Sequence, residues 1–541
     1  MCRQHTSQPK SAWQSSVWRL PPAKVDCLRF NSRRTKHGMS NWVETVTHSE
    51  TSTYCLSAWL FLRVLGFIYL AAFASLLVQI KGLAGQNGIL PAAAFLKSRK
   101  HKGRGRFFRH PTLCWMNASD GFLLFLCWCG AVMALMLVID LAPLLILILL
   151  WALYLSLFKA CRLFLSYQWD VLLLETGFLA IFLAPMEILP RFPPTTAPPQ
   201  AIVWVFWWLL FRLMFSSGVV KLRSGDKPWR NLTALCYHYQ TQPLPTPPAW
   251  YLYQFPRSFH KISALVMFAI ELGGPFLILL PPPFRYVAAG LFVTLMLLIQ
   301  LTGNYCFFNL LGIALSVLLI DDRALLSVLD HVLPEGSLPG HFAPAPHLLV
   351  LFGSLVALLV LVLSVEPVSR LSRYAINWPK PLAALLEFLA PFHLVSGYGL
   401  FAVMTIERPE IIIEGSDDGV QWLAYEFKWK PGDVRRGPRF VAPHQPRLDW
   451  QMWFAALGTY ENNPWFLPFL IRLLEGSSPV LSLLKGNPFP EHPPRYVRAV
   501  MYDYRFSSRG HDKVSGTWWQ RERRGVYCPQ VELSDTVSDH V

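Results

Sequence analysis

Apolar runs of about 17–25 residues recur through the first two thirds of this chain, the length a helix needs to cross a hydrocarbon core of about 30 Å. In a bilayer every backbone N–H and C=O must be paired within the chain, so such runs fold as helices. Composition agrees. Of 541 residues, 53% are hydrophobic and 14% aromatic, only 15% are charged, and mean hydropathy is +0.34. Soluble proteins carry roughly 25% charged residues. The chain therefore reads as a polytopic α-helical membrane bundle.

The expected spans are Trp59–Ile80, Phe122–Ile139, Pro143–Leu165, Val171–Leu189, Ile202–Val220, Ile262–Leu280, Tyr286–Gly303, Tyr305–Ile320 and Leu348–Val365. Only Asp140, Leu141 and Ala142 separate the second from the third, which predicts a tight hairpin. Asp170, Glu175 and Glu187 punctuate the fourth, which makes it the weakest. The count is eight or nine crossings over residues 59–366.

The formal charge is +16, and residues 1–38 contribute +7 of it. Residues 1–58 read as a basic, disordered tail without the apolar segment of a secretory signal. Met39 is a plausible alternative start, which would make residues 1–38 a start-site artefact. The excess charge lacks a folded, patterned carrier, which argues against nucleic acid as a partner. A second basic cluster, Lys97 to Arg109, follows the first span. Two basic flanks on one span cannot both be cytosolic, so charge alone does not orient the bundle. The ten cysteines include no CxxC pair. Cys236 and Cys528 lie outside the spans and could pair in an oxidising compartment. Asn117-Ala118-Ser119 and Asn231-Leu232-Thr233 are glycosylation sequons, relevant only to a secretory pathway.

After Val365 the composition changes. Residues 367–407 form a connector whose LAALLEFLAPF run suits an interfacial amphipathic helix. From Arg408 the charges balance, with 17 Lys+Arg and 17 Asp+Glu from Glu407 to Val541. Two β-rich runs around Gly415-Ser416-Asp417-Asp418-Gly419 predict a hairpin. Val497–Phe506 and Thr517–Gln520 read as further strands, Asp449–Leu457 and Phe466–Leu474 as short helices. Residues 408–533 are thus expected to be a β-rich, sandwich-like extramembrane domain, followed by a disordered tail at 534–541. Within it, VAPHQPRLDWQMWFAAL (Val441–Leu457) is an apolar island outside the membrane. Such an island is either a domain's own core or a surface that receives a partner.

Ionisable residues in spans are functional candidates by default, because an unpaired charge in lipid is costly. Asp170 and Glu175 either pair with Arg162 or Arg212 of neighbouring helices or do chemistry. Lys221, at a span end, either snorkels to the headgroups or is a desolvated base. Glu271 and Asn304 are buried-polar candidates of lower weight. His238 and His260 have no Cys, Asp or Glu at ligand spacing, so no metal site is expected, and no cofactor either. GSDDG lacks the twelve-residue calcium pattern. GxSxG, P-loop and dinucleotide motifs are missing.

The stretches IIIEGSDDGVQWLAYEFKWKPGD, RFVAPHQPRLDWQMWFAALGTYENNPWF and YVRAVMYDYRFS resemble the C-terminal domain of lipase maturation factors. KLRSGDKPWRNLTALCYHYQTQPLPTPPAWYLYQFP and LSYQWDVLLLETGFLA are similar to the same family, and the likeness runs from about Trp59 to Glu532. The resemblance implies an endoplasmic reticulum membrane protein that helps secreted lipases fold and assemble into active dimers, with a lumenal, client-engaging C-terminal domain. In a bacterium the equivalent would be the cytoplasmic membrane with the domain in the periplasm, and the client another exported protein. More distantly the bundle resembles the membrane domain of vitamin K-dependent carboxylases, with Lys221 of GVVKL at the position of a catalytic lysine; that enzyme's other active-site residues have no clear counterparts here.

Two readings follow. In the first, a membrane-bound maturation factor holds its client through Trp450, Trp453, Phe454 and Trp465, or through neighbours expected to be exposed, Gln445, Arg447 and Gln451. In the second, a membrane-embedded enzyme uses Asp170, Glu175, Lys221 and His238 around a cavity in the bundle. Oligomeric state is open.

Overall fold

The computed structural model describes residues 53–99, 105–190, 192–194, 196–329, 343–372, 376–508 and 516–533. Residues 1–52 of the expected 1–58 tail and the expected tail at 534–541 lie outside them, as do Lys100, Lys102 and Arg104 of the basic cluster, whereas Cys55–Ala58, expected to be disordered, are helical. Residues Thr53–Val541 form one compact unit.

Among the described residues, seven helices are long and apolar enough to cross a membrane. The first, α1 (Cys55–Leu77), begins four residues before the expected start. It packs along α2 (Asp120–Val138), which turns through Asp140 and Ala142, both at positive φ, into α3 (Pro143–Cys161). Asp140 caps this corner by pairing with Arg63 and accepting from Trp59 Nε1 at 2.9 Å. The expected fourth span becomes α4 (Gln168–Ile181), 14 residues long. At 1.5 Å per residue the helix itself covers about 21 Å, and the chain continues to Ile188, whose carbonyl accepts from Ala142 N at the corner that Asp140 ties to the start of α1, so this leg runs from one end of α1 to the other; Asp170 and Glu175 are fully buried within the protein. Then come α5 (Gln200–Arg223), the short α6 (Leu235–Thr241), α7 (Arg257–Phe268) and α8 (Pro282–Thr302). A π-turn at Ala269–Gly273 extends α7 into Gly274–Leu277, and together they make one candidate span. Next is α9 (Phe308–Val317), only 10 residues, in a stretch that starts at Tyr305, bonded to Gln242, and ends at Asp322, whose carboxylate accepts from Cys55 N and Leu56 N at the start of α1. The last span lies in α10 (His347–Ser372). The amphipathic run of the connector forms α11 (Lys380–Leu389). Seven described helices thus meet the length and composition of a span by themselves, and the shorter α4 and α9 lie in stretches that also run between the two ends of the bundle.

The C-terminal part is built on one antiparallel sheet in the order β2-β1-β3-β4, from β1 (Arg408–Ser416), β2 (Leu423–Tyr425), β3 (Tyr496–Phe506) and β4 (Trp519–Val531). The second layer of the expected β-rich domain is helical, from α12 (Arg447–Ala456) and α13 (Phe466–Leu474), rather than a second sheet. The turn after β1 forms as expected: Asp418 Oδ1 accepts from Val420 N and Gln421 N, both at 2.8 Å, and Gly419 takes φ +74°. Those bonds commit the carboxylate to a turn, not to calcium. β1 is central and almost wholly buried, and it pairs Ile411 with Met501 and Ile413 with Ala499.

Candidate functional site

The island at Val441–Leu457 lies against the bundle. Its centre is Arg447, which is fully buried and forks onto Asp170 of α4, with Nη1–Oδ2 at 2.8 Å and Nη2–Oδ1 at 2.7 Å. Tyr154 donates its hydroxyl to the same carboxylate, and Arg447 Nη1 also reaches the Phe164 carbonyl at 2.6 Å. Such planar, bidentate geometry is what arginine supplies and lysine cannot. The end of α1 completes the joint. Gln79 donates to the Gln445 carbonyl at 2.8 Å and accepts from Arg447 N at 2.9 Å, and Ser75 Oγ accepts from Gln445 N at 3.0 Å. Gln451 donates to Leu163 O, and Trp453 Nε1 to Thr241 O. Trp450 packs edge-on against Trp169, with centroids 4.8 Å apart.

The expected exposed neighbours are therefore corrected. Gln445, Arg447 and Gln451 are buried, as are Trp450, Trp453 and Trp465. Of the residues singled out there, only Phe454 reaches the surface, at 43% exposure, with Leu457 beside it at 45%. The reason is that the bundle offers matching groups to the Arg447 and Gln451 side chains and to the Gln445 backbone, while the Gln445 side-chain amide is buried without a hydrogen-bond partner among the described residues. Asn304 makes a second clamp, accepting from Val441 N at 2.7 Å and donating to Arg439 O at 2.8 Å. Arg408 makes a third. It pairs with Glu410, which also pairs with Lys430, and donates to the Gln240 and Pro243 carbonyls of the Pro-rich loop.

The candidates for chemistry do not converge. Glu175 pairs with Arg212, one of the two partners expected, and accepts from Tyr398 Oη at 2.6 Å and Ser396 N at 2.9 Å. Asp170 takes Arg447 instead of Arg162. Lys221 does not snorkel: it is buried, and its Nζ lies 2.7 Å from each Glu271 oxygen and 5.5 Å from the Trp229 ring centre. Gly218 leaves room beside the pair: a Cβ there would come within 2.7 Å of the Leu272 side chain and 3.2 Å of Glu271 Cβ.

Lys221, Glu271 and His238 line one cavity of about 260 Å³ between α5, α6, α7 and α8, with Met214, Met267, Leu298 and Phe401 among its apolar walls. Asp170 and Glu175 are not part of that wall. The two halves of the expected acid–base constellation thus occupy separate places. Glu271, weighted low in sequence, proves the main partner of Lys221; the absence of a nearby cation in sequence hid it. Cys236 and Cys528 are both free thiols.

Three histidines outside the candidate spans, His238, His393 and His444, are each pushed from 6.5 to about 4, first by burial and then by neighbouring cations (Lys221, Lys159, and Arg447 with Lys428, respectively). A depressed histidine pKa favours the folded state above the unfolded value of 6.5, and this contribution is lost as pH falls toward 4. The melting temperature of the detergent-purified chain should fall between pH 7 and 5. His444→Gln should flatten that slope; an unchanged slope would show that His444 does not titrate with folding.

Residues 56–327 match the model of the lipase maturation factor transmembrane domain, and residues 394–529 that of the lipase maturation factor C-terminal domain. The chain belongs to the lipase maturation factor family. Human lipase maturation factor 2 is 37% identical over 88% of this chain and 82% of its own length. Bovine lipase maturation factor 1 is 36% identical over 89% of this chain and 90% of its own. No solved structure matches the chain. In this lipase maturation factor family member, the boundary between the two matched models is the polar joint around Arg447, Asn304 and Arg408.

Proposed function

We propose that this chain is a membrane-bound maturation factor for secreted lipases, resident in the endoplasmic reticulum of a eukaryotic cell, with its C-terminal domain facing the lumen and the client. Family membership over nearly the whole chain carries the reading. Sidedness has separate support. Asn117 and Asn231 are exposed, and both flank segments joined to the C-terminal domain. Near the first, the α1–α2 connection bonds Asp120 at Gln86 N and receives Ser477 and Arg472 at Asn87 O and Gly88 O. Near the second, Trp229 Nε1 donates to Phe401 O. Glycans on both sequons would therefore share the face that carries the domain. Lys97, Arg99 and Arg109 belong to the same α1–α2 connection, so the distribution of positive charge favours the opposite orientation.

The surface offered to a client includes Phe454 and Leu457, and β2 and β4 are the sheet's edges among the described residues. An unpaired edge can accept an extended segment of a folding chain. The test is expression in cells lacking their own lipase maturation factors, with the specific activity of a co-expressed secreted lipase as readout. Activity is expected to return with the intact chain, and Phe454→Ser with Leu457→Ser should reduce it several-fold at equal expression. Failure of the intact chain to restore activity rejects the function. Full activity of the double variant rejects this surface. A mobility shift on deglycosylation, removed by Asn117→Gln with Asn231→Gln, is expected; an unshifted chain in mammalian cells argues for the opposite orientation.

A further inference from the structure

A second cavity, of about 720 Å³, opens toward the C-terminal ends of α5 and α10. Trp208 Nε1 of α5 donates to Ser364 Oγ of α10 at 2.9 Å. Beyond that tie the two helices part. Arg212, Ser216 and Val220, spaced one turn apart on α5, line the space together with Glu366, Arg370 and Leu371 of α10. The α11 segment closes another side. Ala383, Leu386, Glu387 and Ala390 follow the i, i+3, i+4, i+7 spacing of one helix face, and all four line the cavity. Two of them are alanines, whose small side chains leave the space open.

Part of the polar lining is already committed. Arg212 is spent on Glu175 and on the Ser396 carbonyl. Glu366 accepts from Arg370 Nε and from Trp378 Nε1, each at 3.0 Å. Two groups keep capacity. Arg370 gives only Nε to Glu366, which leaves both Nη groups to donate, and its side chain is 78% exposed. Glu387 is exposed and enters no ion pair among the described residues. The cavity thus presents one open cation and one open anion. An anionic head would meet Arg370 but be repelled by Glu387, and a cationic head would meet the reverse. A zwitterion of phosphate and amine satisfies both.

The surroundings supply such a molecule. Both α5 and α10 belong to candidate spans, and Val220 and Leu371 fall in the last turns of those spans. The amphipathic α11 carries exposed Leu385 and Phe388, as a helix lying in the bilayer interface does. The cavity therefore sits at headgroup depth. Its apolar walls, Val220, Leu371 and Leu386, suit a glyceryl unit and the first methylenes of its chains.

We propose that this cavity seats the head of a zwitterionic glycerophospholipid, with its phosphate on Arg370 and its ammonium on Glu387. The site stands independently of the lipase reading, because its test measures binding by the full chain and not maturation.

The experiment titrates the full-length protein in detergent with palmitoyl-oleoyl phosphatidylethanolamine and, separately, with phosphatidylglycerol of the same chains, and counts bound lipid by native mass spectrometry. The ethanolamine lipid is expected to bind about tenfold more tightly, the worth of one charge-assisted hydrogen bond. Glu387→Gln should bring the two lipids level, and Arg370→Gln should weaken both. Ala383→Trp, at an exposed position of the α11 face, should remove the tight site while the protein stays monodisperse. Deacylated glycerophosphoethanolamine should not displace the lipid; full displacement would assign the site to a free headgroup and reject a bilayer lipid. Equal affinity of the two lipids for the unmodified protein leaves only a water-filled cleft and overturns the proposal without reliance on any variant.

Discussion

Arg447→Leu is expected to destabilise the chain by about 3–5 kcal/mol, because it strands the Asp170 carboxylate without a counter-ion at full burial. That is a large share of a total stability of roughly 5–15 kcal/mol, so the yield of monodisperse protein should collapse. The Tyr154 hydroxyl and the Phe164 carbonyl bond the same pair, so the damage extends to α3 and the turn before α4. Arg447→Lys keeps the charge but loses the fork and should recover only part of the loss. Asp170→Leu combined with Arg447→Met removes both charges and should be more stable than either single change. Equal melting temperatures for Arg447→Leu and the unmodified chain would show that the domain does not depend on this joint.

Lys221→Met should have the second-largest effect. A lysine that snorkels is worth little, and surface changes usually stay within about 0.5 kcal/mol. Lys221 instead holds Glu271 on a π-turn inside the bundle, and its removal leaves that carboxylate buried and alone, at a cost of about 3 kcal/mol or more. Glu271→Leu should be comparably damaging by stranding the ammonium. The double change, Lys221→Met with Glu271→Leu, should regain stability relative to both. Thermal unfolding of the four proteins in one detergent measures the coupling. Additive effects would mean the two groups do not interact.

The long helices were legible because their signal is local. Twenty apolar residues need no partner to announce a span, and Pro143–Leu165 and Phe466–Leu474 have the bounds that the sequence suggested. The turn at Asp418 and Gly419 was legible for the same reason, since backbone geometry and side-chain bonds lie within four residues. Val171–Leu189 and Tyr305–Ile320 hold shorter helices than their apolar length suggested, because apolar length marks removal from water and not the length of regular helix. Here α4 and α9 are wrapped by their neighbours, and non-helical chain completes each run between the bundle's two ends.

The site was much less legible. Asp170 and Arg447 are 277 residues apart, Lys221 and Glu271 50, and nothing in either neighbourhood names the other. Sequence spacing reports interactions along one element; these pairs form only when separate elements close on each other. Polar residues in Val441–Leu457 therefore looked like a solvent-facing rim and became the joint.

By itself, then, the sequence determined a helical membrane bundle, an appended β-rich domain and a family, because apolar length, strand alternation and turn chemistry act over a few residues. Only the tertiary structure decided which charges are partners, which tryptophans are core, and that Lys221 and His238 share a cavity without Asp170 and Glu175. The physical reason is that a buried charge is tolerated only beside its counter-charge, and where that counter-charge lies is a property of the closed fold.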